Sequence, residues 1–279
     1  MAITTRDKLI DAMANNSSRI IIDKASIASQ TANSFSSLWR ATGQPGQGAI
    51  PAAAAVCDHT LIGAIGFAQQ TAPATSYLAI MESMCANAGA TLEIHDRLMH
   101  MGGLNGTLAT AQTVNLDLNA NLATSNLDAR KGDANFSDVQ WWLEWYTATG
   151  STAVTATAAV TYNDGTSGSL TAQSLAATRP ASHMISLNSL IPAAASGKYI
   201  RDVDTVQLNV TSGTAGNFGV TATRYRAANY APVLNARFTA DWAALGLPEI
   251  PNSACLFGVL ANPTTTTGAI RATGKIIHG

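Results

Sequence analysis

The feature that most constrains this chain is a two-residue period. Residues 152–162 read TAVTATAAVTY, the turn NDGTSG follows, and residues 169–175 resume the alternation. In an extended chain, neighbouring side chains point to opposite faces. Such a run therefore turns one set of residues inward and the other outward. Asn, Asp and Gly supply the positive-φ positions that a tight reversal needs. The stretch predicts a β-hairpin, and similar pairs of runs recur along the chain. Residues 76–84 and 91–98 flank Ala86–Gly89, and residues 205–211 and 219–223 flank SGTAGNF. Repeated hairpins at short spacing predict a mainly β protein, an antiparallel β-sandwich of jelly-roll type.

The ends have another texture. Thr4 or Thr5 can cap a short helix carrying Leu9, Ile10 and Met13, with Asp7 at its positive end. Ile27, Thr31, Phe35, Leu38 and Trp39 then recur at near-helical spacing and predict a second helix with one apolar stripe. A Gly/Pro-rich loop, TGQPGQGAIP, closes this arm. Near the C-terminus, Phe238, Trp242 and Leu245 suit a short helical turn. Residues 255–261 and 269–277 are expected to pair across NPTTTTG. The expected organisation is an N-terminal helical arm over residues 1–50, a sandwich over 51–228 and a C-terminal hairpin extension over 229–279.

Composition bears on the surface. Only 12% of the 279 residues are charged, against 47% hydrophobic, and the net charge is −1. Ala, Thr, Ser, Asn and Gly fill the deficit, giving a weakly hydrated exterior suited to lasting contact with other subunits. The charges are scattered rather than grouped into a basic face, which argues against nucleic acid as a direct partner. The opening residues lack the apolar core of a signal peptide, and no run approaches the roughly 20 apolar residues of a membrane span. Cys57, Cys85 and Cys255 are odd in number and far apart, so no disulfide framework is expected. Synthesis in a reducing cytoplasm fits this usage.

Two stretches raise the question of chemistry. DVQWWLEWY, residues 138–146, holds three of the five tryptophans and two carboxylates. Read as a strand, it places Val139, Trp141, Leu143 and Trp145 on a core face. Asp138, Gln140, Trp142, Glu144 and Tyr146 take the other face. A glycosidase needs its carboxylates about 5–10 Å apart. Asp138 and Glu144 lie six positions apart, about 20 Å along a strand, and cannot form that pair. Trp142 and Tyr146 remain as binding-face candidates. EIHDRLMHMGG, residues 93–103, offers Glu93, His95, Asp96 and His100 as ligand types, but the spacing is not that of a helical zinc motif. No catalytic, cofactor or metal residue is expected.

GTLATAQTVNLDLN, SDVQWWLEWYTATG and VTYNDGTSGSL, within the Ala/Thr/Asn-rich texture, resemble virion structural proteins of tailed bacteriophages. The resemblance implies a non-enzymatic β-rich part of a capsid or tail, assembled in the host cytoplasm and acting through interfaces. No long spine helix of the major-capsid type is visible, which favours an accessory role. A capsid decoration (cement) protein is expected first, with self and major capsid protein or other virion proteins as partners. A tail or head–tail component and a carbohydrate-binding module are the alternatives. Ile27, Phe35, Leu38, Trp39, Trp142 and Tyr146 are the expected interface residues.

Overall fold

A computed structural model describes residues 3–279 of the chain. The protein is mainly β, with antiparallel sheets. It divides into two units, each assembled from segments distant in sequence.

The first unit takes the described residues through Ala49, together with Asp58–Asp96 and Tyr225–Gly279. Its main sheet is built on Ser76–Cys85, which pairs with Ile270–His278 in a register running from Ile270↔Cys85 to His278↔Ser76. Ile270–His278 pairs in turn with Ser17–Lys24. In that strand Ile20 and Ile22 are buried and Ile21 is exposed, the alternation expected of a strand with one face inward. Within the same unit, Leu256–Asn262 lies between Ser34–Ser37 and residues 91–96. Ile20, Ile22, Leu78, Met81, Leu92 and Ile276 belong to one apolar core. Truncating any of the larger ones to Ala would cost about 2–5 kcal/mol.

The first helix forms as expected. Arg6–Asn15 is capped by Thr5, whose hydroxyl accepts from the Lys8 amide at 3.3 Å, and it buries Leu9 and Ala12. The second helix does not form. The β-branched run Ile20–Ile22 goes into a strand instead, and Phe35 falls in the Ser34–Ser37 strand. Between them, Ser29 and Asn33 adopt positive φ, which no right-handed helix accommodates. The segment is held by tertiary hydrogen bonds: the Ile27 amide donates to Thr267 Oγ1 at 2.7 Å and the Gln30 amide to the Thr265 carbonyl at 2.7 Å.

The C-terminal hairpin is likewise replaced. Leu256–Asn262 and Ile270–His278 do not pair with each other but enter different sheets. The same is true of Ser76–Cys85 and Ala90–Leu104. The tail supplies an internal strand of the first unit, Ile270–His278, paired on both sides. The units part after Ala49 and after Arg224, close to residues 50 and 228, and also around Asp58–Asp96, which joins the two ends of the chain in the first unit. The short helix Trp242–Leu245 does form, with Asp241 accepting from the Ala243 and Ala244 amides.

The second unit consists of Ile50–Cys57 and Arg97–Arg224. Here the hairpin read from NDGTSG is present. Val154–Tyr162 pairs with Ser167–Ser169 and Gln173–Leu175, and on its other side with Ile200–Leu208. Val139–Thr147 pairs with His183–Ser186 and with residues 217–224. The expected hairpin across SGTAGNF is absent, because Ile200–Leu208 and Asn217–Ala231 belong to different sheets. Val139, Trp141, Leu143 and Trp145 join Val160, Val203, Phe218 and Val220 in one core. The Trp141 indole also donates to the Ile200 carbonyl at 2.9 Å.

Candidate functional site

The face of DVQWWLEWY left open by the sequence is buried as well. Trp142 and Tyr146 are 4% and 3% exposed, so the folded unit does not present either on its surface. Trp142 donates its indole N–H to Thr223 Oγ1 at 2.9 Å. Glu144, between them in sequence, faces Arg97. The guanidinium Nη2 lies 2.6 Å from Glu144 Oε2, and Nη1 lies 3.3 Å from Oε1. Tyr146 and Thr221 hydroxyls accept from Nη2 at 2.8 and 3.1 Å. Arg97 Nε donates to His100 Nδ1 at 3.0 Å. Since a guanidinium cannot accept, that nitrogen of His100 holds its lone pair toward Arg97.

The electrostatics follow from this enclosure. Burial by itself would lower the Arg97 pKa, but the Glu144 charge overrides it and the guanidinium stays protonated. Burial, reinforced by the Glu144 charge, drives the Tyr146 phenol well above its usual range. Acid, base and phenol are present, yet their polar atoms are bonded to one another inside the unit. What the cluster does is hold the Arg97, Val139–Thr147 and 217–224 segments in register through a bidentate charged pair.

The stretch EIHDRLMHMGG is split between the units. In the first, Asp96 Oδ2 pairs with Arg226 Nη2 at 3.1 Å and its Oδ1 accepts from the Cys255 amide at 2.9 Å. His95 Nε2 lies 2.8 Å from Glu93 Oε2 and meets Tyr225 and Phe257 edge-on. In the second unit, His100 serves Arg97. Among the described residues no group of three or more His, Cys, Asp or Glu is placed to hold a metal ion, and no helix is long and apolar enough to cross a membrane. The three cysteines are buried and form no disulfide.

The other expected interface residues divide. Leu38 and Trp39 are 1% exposed; the Trp39 indole donates to the Ala49 carbonyl at 2.9 Å and its ring meets Phe257 edge-on. They are core residues, because the strand and turn that carry them are covered within the first unit. Ile27 and Phe35 are half-buried. Accessible apolar side chains lie elsewhere: Ile10 and Ile62 are the most exposed, at 65% and 71%, and Tyr230, Val233, Leu234 and Trp242, close together in sequence, are 42–55% exposed. Trp242 belongs to the expected helical turn, whereas Tyr230, Val233 and Leu234 fall in no periodic run of the sequence. A solvent-open cleft of about 210 Å³ also lies on the first unit's main sheet. Ile21, Met84 and the ion pairs Arg271–Asp23 and Arg237–Glu82, at 3.4 and 3.2 Å, line it.

No protein-family model matches the chain, and no curated protein matches it. Among solved structures, it aligns with one of the infectious bursal disease virus Gt strain at 9% identity and a TM-score of 0.20, covering 94% of this chain and 81% of that one. The VP2 subviral particle of the same virus aligns at 10% identity and a TM-score of 0.19, over 94% and 79% of the two chains. At such scores the matches carry no argument about this chain.

Proposed function

We propose that this protein is a non-enzymatic virion structural subunit, and specifically a capsid decoration protein of a bacteriophage head. The observation that carries the reading is the contrast between its interior and its surface. Of the acid–base groups singled out from the sequence, Glu144, His95, Asp96 and His100 are engaged in buried pairs and Asp138 in a half-exposed ion pair with Arg224, while Tyr230, Val233, Leu234 and Trp242 present apolar area within 13 residues of chain. A surface with so few charges gains from burial against other subunits, at roughly 25 cal/mol per Å² of apolar area before the costs of association. A jelly-roll-like sandwich belongs to the same proposal, supported by the antiparallel sheets and their buried faces. Binding of a glycan through Trp142 and Tyr146 is not proposed, since both are internal.

The mechanism would be mass action: a subunit that binds the assembled shell and not its separated parts stabilises the shell. Particles prepared with and without the protein decide the matter. Loss of the protein should leave heads that open at lower temperature or lower salt. Heads of unchanged resistance, or imaging that puts the chain in the tail, would reject the decoration role.

A further inference from the structure

The main sheet of the first unit has two edges, and the chain finishes only one of them. Along Ser76–Cys85 two short strands, Phe238–Ala240 and Glu249–Ile250, fill both halves. At the opposite edge, Ser17–Lys24 is paired along its length with Ile270–His278. On its outer side only Asp23 and Lys24 pair, with Gly43–Gln44. That cover is fastened locally. Lys24 Nζ donates to the Ala41 and Pro45 carbonyls at 3.0 and 2.7 Å, and the Ala25 amide to the Thr42 carbonyl at 2.9 Å. Residues 17–22 lie beyond it.

The phase of the ladder identifies the groups left over. The His278 amide donates to the Asn16 carbonyl, in line with the register Ser17↔Ile277. Alternate residues of an antiparallel strand bond to the same neighbour, so Ser18, Ile20, Ile22 and Lys24 serve Ile270–His278. The amides and carbonyls of Ser17, Arg19 and Ile21 point to the outer edge, where no described residue bonds them. Arg19 is exposed and Ile21 is 46% exposed, so solvent reaches this edge. An unfilled row of donors and acceptors at strand spacing fits one kind of partner, another extended chain.

We propose that the open edge Ser17–Ile22 is a strand-addition site for an extended segment of another protein, one that alternates apolar side chains with an acidic one opposite Arg19. A second copy pairing through the same edge fits poorly. A two-fold axis centred on Arg19 sets two guanidinium groups directly opposite each other, a destabilising cross-strand pair. Moving the axis one step toward Ile21 carries Ser17 into the Gly43–Gln44 strand beside Asp23 of the copy. Charge favours an acidic partner: no described carboxylate pairs with Arg19, and Asp23, on the same face, is held by Arg271 at 3.4 Å. The row that continues Ile20 and Ile22 lies over the core and calls for apolar side chains. The site stands whether or not the chain decorates a capsid.

The test uses the full-length protein, labelled with ¹⁵N, and the acetylated, amidated peptide Thr-Val-Glu-Val-Thr-Val. In the free protein the Arg19 and Ile21 amides should exchange quickly with solvent, while those of Ile20 and Ile22 are protected. The peptide should shift the Arg19 and Ile21 amides saturably and slow their exchange. A peptide N-methylated along its bonding edge should not bind. Replacing its Glu by Lys should weaken binding about two- to fivefold, as reversing a cross-strand charge pair does. Arg19→Glu should invert the preference between the two peptides. Ile21→Pro removes an amide that the folded chain leaves unused, so it should keep the urea midpoint near the parent's and abolish binding. Protection of the Arg19 and Ile21 amides in a free monomer, no saturable shift, equal binding of the N-methylated peptide, or a preference unchanged by Arg19→Glu overturns the proposal. So does sedimentation showing a dimer in which those two amides are protected, which assigns the edge to a second copy.

Discussion

Arg97 and Glu144 meet 2.6 Å apart inside the second unit, both side chains at most 1% exposed, 47 residues apart in sequence. Removing one partner leaves the other charged, buried and unmatched, which costs about 3–5 kcal/mol. Glu144→Gln and Arg97→Met should each destabilise the protein by that order in urea unfolding followed by tryptophan fluorescence. The double variant Arg97→Met/Glu144→Leu should cost less than the sum of the two, because it strands no charge. Additive losses would mean that the pair is not coupled.

His183 sets a pH dependence. Burial, helped by the neighbouring Arg179 charge, lowers its pKa from 6.5 to about 4. With the folded value below the unfolded one, the unfolded chain binds the extra proton first. This contribution is complete above about pH 6.5 and is lost as pH falls toward 4, at most about 3 kcal/mol. The urea midpoint should fall across that window, and His183→Asn should flatten the His-linked part of the fall. An unchanged slope in the variant would assign the dependence to other groups.

Gly219 stands where another backbone passes close by. A Cβ there would run into the Met101 carbonyl oxygen and lie 2.7 Å from Gly102 Cα. Backbone cannot swing aside as a side chain does, so Gly219→Ala should be severely destabilising, more than about 4 kcal/mol, with loss of soluble protein as the readout. At Gly165, φ is +83° and a Cβ would meet open space. Gly165→Ala should cost only the conformational strain, on the order of 1–2 kcal/mol, visible as a modest drop in Tm.

Val233 and Leu234 are 53% and 55% exposed. Val233→Asp/Leu234→Asp should leave the stability of the isolated chain within about 0.5 kcal/mol, as surface changes do. Incorporation into particles should fall markedly in a co-assembly assay. Full incorporation of the folded variant would exclude this segment as the contact.

The local rules of the chain were legible. Thr5 caps the helix expected after it, and the NDGTSG turn joins the strands predicted on either side of it. Trp242 and Leu245 lie in the expected short helix, which Asp241 caps, while Phe238 falls in the strand before it. The alternation of Val139, Trp141, Leu143 and Trp145 placed them in a core. These features depend on neighbours a few residues away, so a single sequence suffices to read them. The stripe from Ile27 to Trp39 misled because its spacing is near-helical by coincidence. Its β-branched lead-in and its tertiary hydrogen bonds to the Thr265–Thr267 segment decided for extended chain.

Partner choice is what the sequence did not contain. Four pairs of alternating runs flank turn-forming residues. Only the pair around NDGTSG closes on itself, while the others cross from one sheet to another. A turn and two amphipathic strands look alike in either case, since alternation specifies which face is apolar and not which edge is filled. For the same reason the face carrying Trp142, Glu144 and Tyr146 looked open, whereas Arg97, Tyr146 and Thr221 close around Glu144. A carboxylate among tryptophans signals that a partner is required. Which residue supplies it is settled by hydrogen bonding and desolvation between segments that only the folded chain brings together.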